Sequence, residues 1–395
     1  MQGFPTMTDF DTVLDRSKLS SVKWEYEIER TGDESLLCFG SADMDFQSAP
    51  AIRAALAELA VTGHYGYPHK PRSYYEAIIG YFQRRHGWHI SRDWLFSNVG
   101  VYPAMQLVIE ELTLPGDEII YQPPVHGVFM DKISRSGRTP VANSLALNNG
   151  RYEMDFDGLE RAINLKTKML LLCNPHNPVG RVWSFEELAR LADICMKHNI
   201  CIVSDEVYGG QTFSGVQFTP MASTSREAAL ATVTLASASK EFNLTGLKHS
   251  VVIIENEDYQ VRYRSGLARR NLDFGGCLFG QRATEVAFKD CDAWSAEAMS
   301  YLKANWDCFA GIIESELPFA RIARPEGLFF AWLDLTEACL SQPKLQSILE
   351  RKAHVIVTYG EFFGNGGEGH VRFNLGAPRS LIEQGARRIA ASLKS

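Results

Sequence analysis

The sequence predicts an α/β chain in three layers: a mainly parallel sheet covered by helices in a large domain, with a smaller α+β domain behind it. Three observations predict this. Apolar runs of strand length alternate with helix-like stretches from about residue 95 to residue 260. Polar residues gather directly after three of those runs, where ligands collect in parallel sheets. Past Cys291 the pattern changes to one long helical stretch and then strand-like segments.

In chain order, residues 1–47 read as an N-terminal segment joining the small domain, 48–290 as the large domain and 291–395 as the small one. The opening MQGFPTMTDFDTVLDR carries acids early and has no apolar leader core. Gly100-Val101-Tyr102 precedes an apolar helix, Pro103 to Leu112, whose first N–H groups suit a phosphate; from the tripeptide alone, a plain helix start reads equally well. The clearest βαβ unit follows. Met169 to Cys173 is a buried strand, and Ser184 with Glu187 is a capping box opening a helix striped by Leu188, Leu191 and Ile194. Ile200 to Ser204 is the next strand, and the runs Ala231 to Ala236 and Ser250 to Ile254 share its character. The small domain runs from a helix, Ala293 to Leu317, through the strand-like FFAWLDL, HVIVTYG and HVRFNLG segments to a closing amphipathic helix.

With 395 residues, 45% of them apolar, the chain has material for sizeable cores, and its net charge of −7 gives no basic footprint for nucleic acid or an anionic membrane. No run approaches the roughly 18 apolar residues of a membrane span. The eight cysteines are scattered without C-x-x-C or zinc spacing and read as reduced, mostly buried side chains of a cytoplasmic protein. Gly364 to Gly369 matches G-x-G-x-x-G, but a strand-like run follows where that fingerprint needs a helix, so it reads as a glycine-rich turn. His64, His69, His86 and His89 lack an H-E-x-x-H pattern and read as surface or packing residues, with no metal expected.

Lys240, in Ser237-Ala-Ser239-Lys240, directly follows a buried strand. That setting strips water from the amine and favours the neutral form a Schiff base needs. Asp205, at the end of another strand, could pair with a buried cation such as a pyridinium nitrogen, and Asn177 and Tyr208 supply neutral donors suited to a phenolate oxygen. Taken singly they have bland readings: a surface lysine, a turn acid, a turn former between Pro175 and Pro178. At neighbouring strand ends they point to one site.

The ordered set NVGVYPA, CNPHNPVGRVW, SDEVY, SASKEFNLTGLK and VRFNLG resembles, over almost the whole chain, the pyridoxal-phosphate enzymes of fold type I, the class I/II aminotransferase superfamily with its aspartate aminotransferase-like fold. Within it, VKWEY, SADMDF, YGY and YGEFFGNGGEGHVRFNLGAPR resemble the MalY/PatB group of carbon-sulfur β-lyases. The resemblance implies pyridoxal phosphate as cofactor and residues 48–290 as the domain that binds it. It makes Lys240 the Schiff-base lysine, puts Asp205 on the pyridine nitrogen, and puts Asn177 and Tyr208 on the ring oxygen. The implied phosphate holders are the N–H groups of Val101 and Tyr102, together with Ser237, Lys248 and Tyr67, the last reaching across from the other subunit of a homodimer. Arg372 would clamp the substrate α-carboxylate, helped by Asn177 and the backbone near Ala42. Lys240, Tyr67 and Tyr208 are the implied catalytic set.

Three departures from the group stand at or near that site. His126 occupies the position of the ring-stacking aromatic residue, Tyr208 stands where the lyases carry histidine, and Gly40-Ser41 replaces an apolar pair, which implies a larger and more polar substrate pocket. His126 is expected to stack, with proton exchange as the open alternative. The leading implied function is cystathionine or cysteine-S-conjugate β-lyase. The alternatives are an aminotransferase or a related enzyme of secondary metabolism and, from another class, a regulatory binder, against which the intact set of Lys240, Asp205 and Arg372 argues.

Overall fold

The computed structural model describes residues 9–273 and 276–394. The first eight residues of the opening segment lie outside them. Seven strands, Leu95–Asn98 (β1), Glu118–Tyr121 (β2), Thr139–Ala142 (β3), Thr167–Cys173 (β4), Cys201–Asp205 (β5), Thr232–Ala236 (β6) and Ser250–Ile254 (β7), form one sheet in the order β1-β7-β6-β5-β4-β2-β3. The central strands are apolar on both faces because both are covered. Met169, Leu171 and Cys173 of β4 enter one core while Leu170 and Leu172 enter the other, and Val203 and Ile202 of β5 divide the same way. The three layers follow from that division.

Strands β2 to β6 pair in parallel, but β7 runs antiparallel to both β1 and β6. Its sequence resembles that of its neighbours because burial on both faces selects the same residues whichever way a strand points. Level register brings the site together: β4 and β5 pair Cys173 with Asp205, and β5 and β6 pair Asp205 with Leu235. The carboxyl ends of three strands thus share one edge.

Five helices matter below: Arg72–His86 (α1), Val101–Leu112 (α2), Phe185–Lys197 (α3), Asp292–Glu316 (α4) and Arg379–Leu393 (α5). The capping box of α3 is formed, with the Ser184 hydroxyl accepting from the Glu187 N–H at 3.2 Å and the Glu187 carboxylate accepting from the Ser184 N–H at 2.8 Å. α4 starts in the large core with Trp294, Ala298 and Leu302 and ends in the small one with Phe309, Ala310 and Ile313. We propose the domain boundary at residues 290/291, just ahead of this helix, whose first half packs back onto the large core.

The small domain carries Arg321–Ile322 (β8), Phe330–Asp334 (β9), Thr358–Tyr359 (β10) and His370–Asn374 (β11) as an antiparallel sheet in the order β8-β9-β11-β10, and Ile382, Ala386 and Ile389 of α5 share one core with Val371 and Phe373 of β11. HVIVTYG, expected as one strand, is two. Val355–Ile356 pairs in parallel with Leu37–Cys38, and after Val357 the chain changes partner so that β10 joins β11. Gly364, Gly366 and Gly369 all adopt positive φ in a turn that leads directly into β11.

Residues 41–46 form a strap across the two domains. Asn243 of the large domain donates to the carbonyls of Met44 and Phe46, both at 2.9 Å, while Asn374 of β11 donates to those of Ser41 and Asp43. Asp45 anchors the strap from below, buried against Lys23 at 2.8 Å, Arg16 and the Trp24 indole at 2.9 Å. No helix among the described residues is long and apolar enough to cross a membrane.

Candidate active site

Asp205 ends β5 and is buried; burial pushes its carboxyl up to about 7, against the Val207 N–H it accepts at 3.2 Å and the charge of Lys240. Lys240 follows β6 by one turn and donates from Nζ to the Ala42 carbonyl of the strap at 2.7 Å. Burial brings its amine down to about 8, and the positive charge of Arg372 adds to the effect. Gln211 holds the Lys240 carbonyl at 2.9 Å, so the backbone that carries the amine is fixed.

Helix α2 begins at Val101, two residues earlier than the spacing predicts, so Val101 and Tyr102 lie inside its first turn. Their N–H groups are among the donors a helix start leaves without an intrahelical partner. No side chain caps the helix, and Gly100 turns into it at φ 131°, a backbone conformation that L side chains rarely adopt. A cavity of about 250 Å³ opens at this end, lined also by Ser237, Ser239, Lys240 and Lys248. The Ser237 hydroxyl donates to the His249 carbonyl at 2.7 Å and accepts from the Ser239 N–H at 3.1 Å, so it sits in the cup with its proton already committed.

Arg372 lies in β11 between Trp332 and Thr358 of the flanking strands and is buried. It donates to Asn177 Oδ1 at 3.0 Å, the Gly40 carbonyl at 2.9 Å and Thr358 Oγ1 at 3.2 Å, with Phe330 and Phe363 beside the guanidinium. Its Nε is buried without a hydrogen-bond partner, and among the described residues no carboxylate pairs with it. A buried cation left in that state calls for an anion. Arg372, Lys240, Tyr102, His126 and Ala42 share a second cavity of about 540 Å³.

The His126 ring stacks on Tyr102, with centroids 5.6 Å apart and planes 28° apart, and the Tyr102 hydroxyl is 3.3 Å from Nδ1. Burial first, then the charges of Arg372 and Lys240, hold the imidazole well below its usual range, so it is neutral. Tyr208 is buried edge-on to Phe329 and Phe330, and burial raises its phenol, which stays protonated. Tyr67 is 93% exposed on the irregular stretch of residues 63–71. Among the described residues it lines neither of the two cavities.

The donor set fits pyridoxal phosphate. The cup offers helix N–H groups and the Lys248 cation to a phosphate, Asp205 offers a buried carboxylate to a protonated ring nitrogen, and Lys240 offers an amine of lowered basicity. The family described as aminotransferase class I and II matches residues 34–389. The chain belongs to this family. It is similar to cystathionine β-lyase PatB of Bacillus subtilis strain 168, at 34% identity over 387 residues that cover 98% of this chain and all of PatB. Among solved structures it is similar to cystalysin from Treponema denticola, which contains pyridoxal 5'-phosphate, at 30% identity and a TM-score of 0.94, covering 98% of this chain and 99% of that one. A pyridoxal-phosphate-bound protein from Clostridium difficile 630, provisionally named an aminotransferase, matches at 36% identity and a TM-score of 0.95 with the same coverage.

Several parts of this candidate site have no local signal in the sequence. The Gly40 carbonyl and Thr358 reach Arg372 from distant chain segments, and Ser239, Thr245 and His249 line the cup beside the expected residues. The strap was visible as the SADMDF motif, whose buried Asp45 anchor only the fold explains. His64, His69 and His89 are exposed, His86 packs edge-on against Phe218, and among the described residues no group of three His, Cys, Asp or Glu side chains could hold a metal ion.

Proposed function

We propose that this chain is a pyridoxal-phosphate-dependent carbon-sulfur β-lyase that cleaves cystathionine or a cysteine S-conjugate to a thiol, pyruvate and ammonia. The observation that carries it is the buried, acid-free guanidinium of Arg372 in one cavity with the Lys240 amine, an arrangement matched to an α-amino acid. The names of PatB as a cystathionine β-lyase and of a Staphylococcus hominis structure as a C-S lyase support cleavage at the β-carbon.

Arg372 binds the substrate α-carboxylate, and its bonds to Asn177, Gly40 and Thr358 set the angle of the fork. The bound cofactor supplies the electron sink for the pair left at Cα when its proton departs. Lys240 takes that proton on Nζ; an amine brought down to about 8 is partly neutral near pH 8 and can act as base. Asp205 would hold a proton on the ring nitrogen of the bound cofactor, and Asn177 Nδ2 and the Tyr208 hydroxyl would serve its ring oxygen. The pair at Cα becomes the Cα=Cβ bond as the Cβ–S bond breaks with its own pair on sulfur, the proton held on Lys240 Nζ is available to the departing sulfur, and water converts the remaining three-carbon enamine to pyruvate and ammonia. Ser41, Gln342 and Thr358 make the substrate cavity polar enough for a polar thiol portion.

The exposed Tyr65 and Tyr67 support a homodimer in which Tyr67 completes the neighbouring cup, and the dispersed, unpaired cysteines support a cytoplasmic setting. Incubation with L-cystathionine and no keto acid tests the function. Homocysteine and pyruvate in equal amounts are expected. Consumption of one substrate per protomer without thiol release, resuming only when a keto acid is added, would reject the lyase and favour the second reading, an aminotransferase, to which Tyr208 in Asp205-Glu-Val-Tyr208 points.

A further inference from the structure

We propose that Glu27 selects the departing portion of the substrate: the site prefers cysteine S-conjugates whose thiol portion carries an ammonium group and disfavours those whose thiol portion ends in a carboxylate alone. The inference rests on the β-lyase reading above and names a substrate class within it.

The cavity of about 540 Å³ that holds Arg372 and Lys240 is lined by three cations and one acid. Every cation is committed. Lys23 is buried, and its Nζ donates to Asp45 at 2.8 Å and to the Asp43 carbonyl at 3.1 Å. Lys240 serves the substrate amine and the α-proton, and Arg372 serves the α-carboxylate. The acid is Glu27, whose side chain keeps part of its surface exposed.

A chain of contacts ties this acid to the carboxylate clamp. Thr358 accepts from Arg372 at 3.2 Å, and Tyr359, the next residue of β10, donates from its phenol to Glu350 at 3.3 Å. Glu350 accepts from Arg30 at 3.2 Å, and Arg30 donates to Glu27 Oε2 at 2.7 Å. One guanidinium therefore serves two carboxylates, and the group keeps a net negative charge. Among the described residues no donor engages Glu27 Oε1. Thr358, Tyr359 and Glu27 all line the cavity, so this charge borders the space in which a substrate held by Arg372 extends its sulfur substituent.

Charges act more strongly in a partly enclosed space than in bulk water. An ammonium entering there meets an acid with capacity to spare, whereas a carboxylate meets like charge and no uncommitted cation. Cystathionine satisfies the preference through the ammonium of its homocysteine portion, and the Gln342 carboxamide on the same wall is a neutral donor for the carboxylate beside it.

The test measures thiol release by the holoenzyme from S-aminoethyl-L-cysteine and S-carboxymethyl-L-cysteine, each relative to S-propyl-L-cysteine, which has a similar length and no charge on its substituent. Wild type is compared with Glu27→Gln, so the differing leaving abilities of the three thiols cancel. Loss of the charge is expected to lower the relative kcat/KM of the aminoethyl conjugate about five- to tenfold and to raise that of the carboxymethyl conjugate by a similar factor, mainly through KM. Glu27→Lys is expected to shift both values further in the same directions, and it serves if Glu27→Gln does not fold. Relative values within about twofold of wild type, or changes carried by kcat alone, overturn the proposal. Absence of thiol from all three conjugates while Lys240 carries the cofactor would instead overturn the β-lyase reading on which it rests.

Discussion

Replacing Arg372 by lysine keeps a positive charge but removes the planar fork. The guanidinium makes three fixed bonds, to Asn177, Gly40 and Thr358, and leaves Nε partnerless. A lysine ammonium on a flexible stem cannot keep these contacts and also pair with a carboxylate through two parallel bonds. Losing one or two charge-assisted hydrogen bonds at about 1.5–3 kcal/mol each amounts to roughly 1.5–6 kcal/mol, or about tenfold to a few ten-thousandfold in kcat/KM. Pyruvate release, followed through NADH consumption by lactate dehydrogenase, reads this directly, and the loss is expected mainly in KM. The carboxamide of the same substrate provides the internal control. Wild-type protein should discriminate strongly against it, and Arg372→Lys should lose most of that discrimination. A variant within about threefold of wild type, or one with unchanged discrimination, would refute the assignment of Arg372 as the carboxylate clamp.

Three further outcomes are expected. Lys240→Ala should lack the absorbance near about 420 nm of a lysine-bound cofactor and release no pyruvate; a retained band would remove Lys240 from the chemistry. Asp205 has a carboxyl raised to about 7 in the fold, above its unfolded value, so its contribution to stability is full below about pH 4 and is lost as pH rises through 7. Cofactor-free Asp205→Asn should therefore melt above wild type at pH 8, with the advantage vanishing near pH 4, and a pH-independent difference in melting temperature would contradict the burial argument. Asp45→Asn leaves Lys23 buried without its counter-charge and should cost roughly 3–5 kcal/mol in urea unfolding while loosening the strap; a cost under about 1 kcal/mol would show the cluster to be dispensable.

The parts of this fold that were legible are those written locally. The strand β4, the Ser184–Glu187 cap and the strand β5 follow one another within forty or so residues, and each depends on neighbours in sequence. Strand direction is not local: β7 is apolar on both faces whether parallel or antiparallel, so its reversal left no mark. HVIVTYG likewise hides its change of partner, because Leu37–Cys38 and β11 both accept an apolar strand. The site was legible at Lys240 and Asp205, which stand at strand ends, and through the family resemblance at Arg372. The atoms that orient Arg372 come from Gly40, more than three hundred residues away in sequence, and from Thr358. No periodicity or spacing reports such a contact.

The most direct test of the central claim, that this site expels a β-leaving group, is the number of pyruvate molecules released per protomer from an S-substituted L-cysteine with no keto acid present. Absorbance near about 330 nm, where the amino form of the cofactor collects in transamination, is followed in the same cuvette. Many pyruvates per protomer with equal thiol and little growth at that wavelength are predicted. One turnover per protomer, halting as that absorbance rises and resuming on addition of a keto acid, would contradict it.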